Sequence, residues 1–201
     1  MVDKPDNLLM IARDNKFEIN LYSEVRAYVK KQNPKNKIFI VHRLDKETRG
    51  LVICAKSEKV KNILQENWAK VIRKYYAIVL GHPVKKKARL KNYLKENRAL
   101  YVYVSNFGKE AITDYEVIRE TSKYALLDID IKTGRKNQIR VQLSHINNPI
   151  LGDKKYGKKF GNTLYLQAYY LKFEHPINNR ELELKINLDT SFEKVLNGSC
   201  Q

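Results

Sequence analysis

The sequence predicts an α+β fold: a large, mixed, mostly antiparallel β-sheet with flanking helices. Three observations carry that expectation. The second half of the chain repeats an apolar–polar alternation, the period of a half-buried strand. Separate short stretches carry instead the 3.6-residue period of a helix. Regular βαβ alternation is missing from the second half, which disfavours a doubly wound nucleotide-binding sheet.

The apolar run LLMIA, residues 8–12, reads as the first strand. Asn20 then caps a helix whose apolar face is Leu21, Val25, Tyr28 and Val29. Residues 38–41 form a short buried strand, the polar turn HRLDKETRG follows, and residues 51–55 form the next strand. Ser57 caps a second helix with Val60, Ile63, Leu64 and Trp68 inward. Residues 71–81, VIRKYYAIVLG, read as a strand that ends on glycine. DYEVIRE and ALLDIDIK alternate, the latter with Leu127, Ile129 and Ile131 against Asp128 and Asp130. The turn TGRKN leads into a helix with Ile139, Leu143 and Ile146 on one stripe. LYLQAYYLKF and ELELKINL are the last strands, joined through HPINNR, and SFEKVLN is a short closing helix.

A length of 201 residues is enough for one sizeable core, so residues 1–201 are expected to form a single domain. With 43% apolar and 30% charged residues, the chain is too apolar for wholesale disorder. No apolar run approaches the ~18 residues of a membrane span. The opening MVDKPDNLLMIARDN has charge and proline where a signal peptide needs an apolar stretch. There are 39 Lys and Arg against 22 Asp and Glu, a formal net charge of +17. That sign points to a polyanion: nucleic acid first, an anionic membrane surface second. The alternative is a solvated basic surface.

Cys54 lies in an apolar run and Cys200 beside the terminus, so no disulfide framework is present. A reducing, cytoplasmic setting is expected. His42, His82, His145 and His175 are scattered without zinc-like spacing, and no metal is expected.

Three segments stand out as candidates for chemistry. HRLDKETRG places Asp45 in a turn between two apolar strands, flanked by Arg43, Lys46 and Arg49. Loops on a rigid sheet are where catalytic groups tend to sit, although a solvated charged turn has the same pattern. Thr133 to Arg140, TGRKNQIR, puts a glycine turn before a helix whose first N–H groups suit a phosphate or carboxylate. Arg140 lies on a different side of that helix from Ile139 and Leu143 and can reach a carboxylate elsewhere. In RKYYAIVLG, Tyr75 and Tyr76 face opposite sides of a strand, one for the core and one for a cleft. Basic groups beside an aromatic ring suit single-stranded RNA.

HRLD followed by Thr48 and Gly50-Leu51, then KYYAIVLG, then TGRKNQIRVQLSHINNPILGDKKYG, then LQAYYLKFEHP occur in this order. With these motifs the chain resembles the RluA-like family of RNA pseudouridine synthases, from Lys4 to beyond Pro176. The resemblance implies the pseudouridine synthase catalytic fold. It also implies a cofactor-free isomerase that detaches uracil from ribose at N1, rotates it, and rejoins it through C5. It makes Asp45 the catalytic aspartate and Tyr75 the active-site tyrosine that stacks on the target base. Arg140 becomes the arginine that pairs with the aspartate, and Arg43 the one that enters the RNA near the flipped base. The target uridine must leave the helical stack, at a cost of a few kcal/mol.

The chain departs from the family pattern at Arg49, where Ser is usual, at Gln167, where His is frequent, and at Arg73, where Lys is frequent. These changes bear on substrate preference. No separate N-terminal RNA-binding module is expected, so RNA recognition rests on the domain's own surface. The candidate contacts are His42, Arg43, Arg73, Arg135, Lys85, Lys86, Lys87 and Arg89. Residues 85–89 sit in the basic stretch 70–98, whose one acidic residue is Glu96, and read as a protruding arm. The expected partner is ribosomal or transfer RNA, acted on by a monomer. The alternative from another class is a non-catalytic RNA-binding or assembly factor on the same fold. An unrelated basic hydrolase would need a second carboxylate, a Ser–His pair or a metal cluster, and no such set is visible.

Overall fold

The computed structural model describes residues 1–12, 19–157 and 163–198. Cys200 lies outside the described residues. The chain divides into two compact units. One is Met1–Val71 with Leu171–Ile186, the other Ile72–Tyr170 with Asn187–Gln201.

The first unit runs through β1 (Val2–Lys4), α1 (Leu21–Gln32), β2 (Phe39–Ile40), β3 (Arg49–Val52), β4 (Cys54–Ala55) and α2 (Glu58–Glu66). β1 pairs antiparallel with β3, and β2 with β4. The opening strand is therefore Val2–Lys4, and not residues 8–12 as the apolar run suggested. There Leu9 makes only an isolated bridge to Asn20, because the chain turns sharply through Asn7, whose φ is 58°. The strand expected over 51–55 starts two residues earlier and breaks at Ile53. The Ile53 N–H donates to His42 Nε2 at 3.0 Å, and its carbonyl accepts from the Val41 N–H.

Asn20 caps α1 through a reciprocal pair with Ser23, a device worth about 1 kcal/mol. Leu21 and Val29 are buried, but Tyr28 is 65% exposed and does not belong to the apolar face. It stands 100° round the helix from Val29. α2 is capped by Ser57, whose side chain accepts from Val60 N. Trp68 follows in a 3₁₀ turn and packs on the core of Val41, Leu51, Ile53, Ala55, Leu64, Val71 and Leu171.

The second unit contains β5 (Ile72–Leu80), β6 (Lys87–Glu96), β7 (Val102–Ser105), β8 (Lys109–Glu120), β9 (Tyr124–Ile131), α3 (Gln138–His145) and the first part of β10 (Leu166–Glu174). β11 (Glu181–Lys185), which pairs with β10, belongs to the first unit, and α4 (Thr190–Leu196) to the second. The sheet order here is β10-β5-β9-β8-β6-β7. The ladders β5–β9, β9–β8, β8–β6 and β6–β7 are antiparallel, as the alternating segments predicted.

Alternation gives each sheet face its own core. Ala77, Val79, Leu127 and Ile129 pack with Ile139 and Leu143 of α3. Ile78 and Leu126 pack with Phe192, Val195 and Leu196 of α4. Burying one such side chain is worth ~1.5–3 kcal/mol.

The start of α3 departs from the sequence reading. Residues Gln138, Ile139, Arg140, Val141, Gln142 and Leu143 are all buried, polar ones included. Hydrogen bonds make this affordable. Thr113 Oγ1 donates to Gln142 Oε1 at 2.7 Å, and Gln138 Nε2 to Thr113 Oγ1 at 2.8 Å. Gln142 Nε2 donates to Asn92 Oδ1 at 3.0 Å and to the Ala111 carbonyl at 3.1 Å. The network docks α3 on β8 and β6 in one register, which fixes the helix that carries Arg140.

Candidate active site

The HRLD turn lies in the first unit. Its backbone closes where the Thr48 N–H donates to the Asp45 carbonyl at 3.2 Å. Leu44 and Thr48, on either side, are buried, while the Asp45 side chain is half-buried. Arg43 is exposed and extends from the same turn. His42, expected to contact RNA, also has a structural task. Its Nε2 accepts from Ile53 N, and its ring stacks on Trp68 with centroids 4.5 Å apart. Arg49, the departure from the family pattern, pairs with Asp6 at 3.0 Å.

The turn is tied down by a residue to which the sequence reading gave no role. Lys4 is 0% exposed. Its ammonium donates to the carbonyls of Pro5, Leu8 and Lys46 at 2.9, 2.8 and 2.9 Å. The Lys46 carbonyl belongs to the residue after Asp45. Burial pulls the Lys4 pKa down to about 8, against the opposing pull of Asp6, Glu47 and Asp45. The sign follows directly. The folded chain releases this proton before the unfolded chain does, so the buried charge costs stability below pH 8. That cost fades between about pH 8 and the ordinary lysine value of 10.5. Urea unfolding of wild type and Lys4→Met across pH 7–10.5 checks it. Wild type should gain stability relative to the variant as pH rises through this window; a flat difference would contradict the assignment.

Tyr75, Arg73 and Arg140 lie in the second unit. On β5, Arg73 and Tyr75 share the face directed to α3, and Tyr75 packs half-buried against that core. Tyr76 is on the other face, stacked on Tyr169 with centroids 3.7 Å apart. Tyr169 in turn donates to Asp128 at 2.9 Å. One ring face of Tyr76 is thus committed within the protein.

Arg73, expected among the RNA contacts, is only 5% exposed. Burial lowers its pKa, with Tyr75 and Asp130 opposing. It sits under the turn that opens α3. A Cβ at Gly134 would stand 2.9 Å from Arg73 Nη1. Gly134 leaves room for that guanidinium and has no unusual backbone angle. The same turn keeps Arg135 exposed, with its Nε donating to the Glu110 carbonyl at 2.8 Å.

Arg140 is held by a second carboxylate that the sequence reading did not assign. Its Nε and Nη2 each donate to Asp153 at 2.8 Å. The signal was in the sequence: Asp153 is the lone carboxylate of the stretch GDKKYG.

The profile of the RNA pseudouridylate synthase family matches residues 1–145. The chain belongs to that family. It is 35% identical to ribosomal large subunit pseudouridine synthase D of Borreliella burgdorferi over 67% of this chain and 44% of the relative. It is 28% identical to an uncharacterized RNA pseudouridine synthase of Mycoplasma genitalium over 98% of this chain and 66% of the relative. The chain thus spans between about half and two thirds of the length of these relatives. Human RNA pseudouridylate synthase domain containing 4 has the same fold, with a TM-score of 0.82 at 24% identity, over 97% of this chain and 87% of that one.

In this member of the family the basic arm is not an arm. Lys87 and Arg89 lie in β6, paired with β8 across the register Lys87↔Glu116 and Arg89↔Asp114. Arg89 donates to Asp114 at 2.7 and 2.8 Å, Lys87 pairs with Glu116 at 3.1 Å, and Lys86 with Glu120 at 2.5 Å. Strand β8 places a carboxylate opposite each cation, so only Lys85 carries a charge with no such partner among the described residues. Replacing Lys85, Lys86 and Lys87 with Gln should lower the salt slope of RNA binding by about one contact's worth, ~0.7–0.9. A drop about three times larger, in binding measured from low to physiological salt, would restore all three as phosphate contacts.

Gln167 also has a place. It is 3% exposed. Its amide donates to the Asn187 carbonyl at 2.9 Å and accepts from the Asp189 N–H at 3.0 Å, which sets the N-cap of α4. This departure from the family pattern serves the fold.

Proposed function

We propose that the chain is an RNA pseudouridine synthase that isomerises specific uridines in structured RNA, with ribosomal RNA as first candidate and transfer RNA as second. Family membership supports this reading, as do the names of its relatives. The observation that carries it is the HRLD turn: the half-buried Asp45 carboxylate on a backbone fixed by a wholly buried lysine. Such a carboxylate is placed to meet a sugar carbon without rearranging.

In this reading Asp45, Tyr75 and Arg140 act on one nucleotide. Asp45 attacks, or stabilises, the ribose as the N1–C1′ bond breaks. The freed uracil rotates and its C5 bonds to C1′, releasing the Asp45 carboxylate where that had bonded to the sugar. The proton then leaves C5, and N1 ends protonated. Product and substrate are isomers, so the reaction balances without cofactor or metal. Tyr75 stacks on the extruded base, worth ~1–3 kcal/mol. Arg140 is the cationic partner that the family resemblance gives the aspartate, and the exposed Arg43 enters the space left in the RNA. The enzyme would act as a monomer in the cytoplasm.

The test is direct. Purified protein is incubated with total RNA from cells lacking it, and pseudouridines are mapped before and after. New pseudouridine at discrete positions is expected. Tight RNA binding with no isomerisation at any position would favour the non-catalytic factor instead.

A further inference from the structure

We propose that Asp153 is the positioning residue that aims Arg140, and that the loop over residues 152–157 is built around that carboxylate. The inference rests on the reading of Arg140 as part of the catalytic set.

Arginine reaches its target through a long, flexible side chain, and holding it still costs up to ~2 kcal/mol of rotamer freedom. Asp153 removes that freedom in advance. Two parallel bonds of 2.8 Å grip the Nε–Nη2 edge. A bidentate grip fixes the guanidinium plane and therefore where its other edge points. Arg140 is 4% and Asp153 1% exposed, so water does not compete.

The carboxylate is itself immobilised. Its Oδ1 also accepts from the N–H groups of Lys155 and Tyr156 at 2.9 and 3.0 Å. Gly152 has φ +77°, and a Cβ there would stand 1.8 Å from the Thr163 carbonyl oxygen. A Cβ at Gly157 would stand 2.9 Å from the Asp153 carbonyl oxygen. Tyr156 closes the holder from the side. Its ring centroid is 5.5 Å from the guanidinium carbon, and its hydroxyl donates to Asn137 Oδ1 at 3.1 Å. Burial pushes the Tyr156 pKa up to about 12, which keeps that hydroxyl a donor at working pH.

Stability alone does not explain this arrangement. A buried ion pair contributes no more to folding than an apolar pair of similar volume. Orientation does explain it, because a charge held before the reaction needs no reorganisation during it.

Asp153→Asn should slow the single-turnover rate about 10²-fold while leaving affinity for the RNA substrate nearly unchanged. It should also lower the thermal midpoint, because it strands a buried guanidinium. Asp153→Asn with Arg140→Met removes both charges. That double variant should regain the midpoint but not the rate, and should be no slower than Arg140→Met alone. A folded Asp153→Asn that turns over at the wild-type rate would overturn the proposal and leave Asp153 as a stability device.

A second comparison strands no guanidinium and serves if Asp153→Asn does not fold. Added guanidinium should raise the rate of Arg140→Ala by about tenfold or more, but not that of Arg140→Ala with Asp153→Asn. Equal rescue of both, or rescue of neither, also overturns the proposal. Wild-type chemistry in Arg140→Met would instead remove the catalytic reading of Arg140, and the role of Asp153 with it.

Discussion

Asp45→Ala and Asp45→Asn should each abolish pseudouridine formation, with a loss on the order of 10⁴–10⁶ in single-turnover rate. A nucleophile or charge stabiliser at the reacting carbon acts only in the transition state, so its removal leaves binding nearly intact. The structure favours a clean outcome. Leu44 and Thr48 are buried on either side of Asp45, and the turn is held by backbone groups and by Lys4. Neither substitution touches these contacts, so the turn should keep its shape. RNA affinity within about threefold of wild type, measured with the same substrate, is expected. Turnover of Asp45→Asn within tenfold of wild type would sink the assignment of the catalytic group.

Arg140→Met should reduce the rate of the chemical step by ~10²–10³-fold, the usual cost of one preorganised electrostatic partner. Arg140→Lys should recover little. An ammonium is a point charge and cannot reproduce the two parallel bonds to Asp153. Combined with Asp45→Asn, the Arg140→Met change should add no further loss if the two groups act as a unit, as the proposed reading requires. Thermal unfolding of each variant must be recorded alongside, since Arg140→Met leaves Asp153 buried without its counter-charge. Weakened RNA binding at an unchanged chemical rate would make Arg140 a phosphate contact.

Much of this was legible in the sequence, for identifiable reasons. The strands β8 and β9 alternate because one face of each meets α3 and the other meets α4 or solvent, and that period survives in the residue order. The HRLD turn was legible through its resemblance to the family motif; its charge pattern alone also fits a solvated turn. What escaped is what depends on a distant partner. Lys4 reads as an ordinary surface lysine until the Lys46 carbonyl meets it. The alternation of KARLKNYLK in β6 was hidden by its charge, and its neutralising carboxylates come from β8. Arg73 was expected to contact RNA because it is a basic group beside the tyrosines of its strand. A glycine at 134 admits its guanidinium beneath the turn. Asp153 stood in a motif used for recognition, yet its task appears only once the chain folds it against Arg140.

The glutamine and threonine network under α3 has a kinetic consequence. Thr113 and Gln142 are both 0% exposed. Their partners are spread over α3, β6 and β8. None of these elements can open without stranding polar groups contributed by the others, so partial opening is costly. They should therefore exchange amide hydrogen with solvent deuterium as one cooperative unit, at a free energy near that of global unfolding. The side-chain amide of Gln142 should share that protection, long after the exposed amides of the 97–101 turn have exchanged. The helix that carries Arg140 should then open only with the whole unit, and the loops around it can fluctuate without disturbing it.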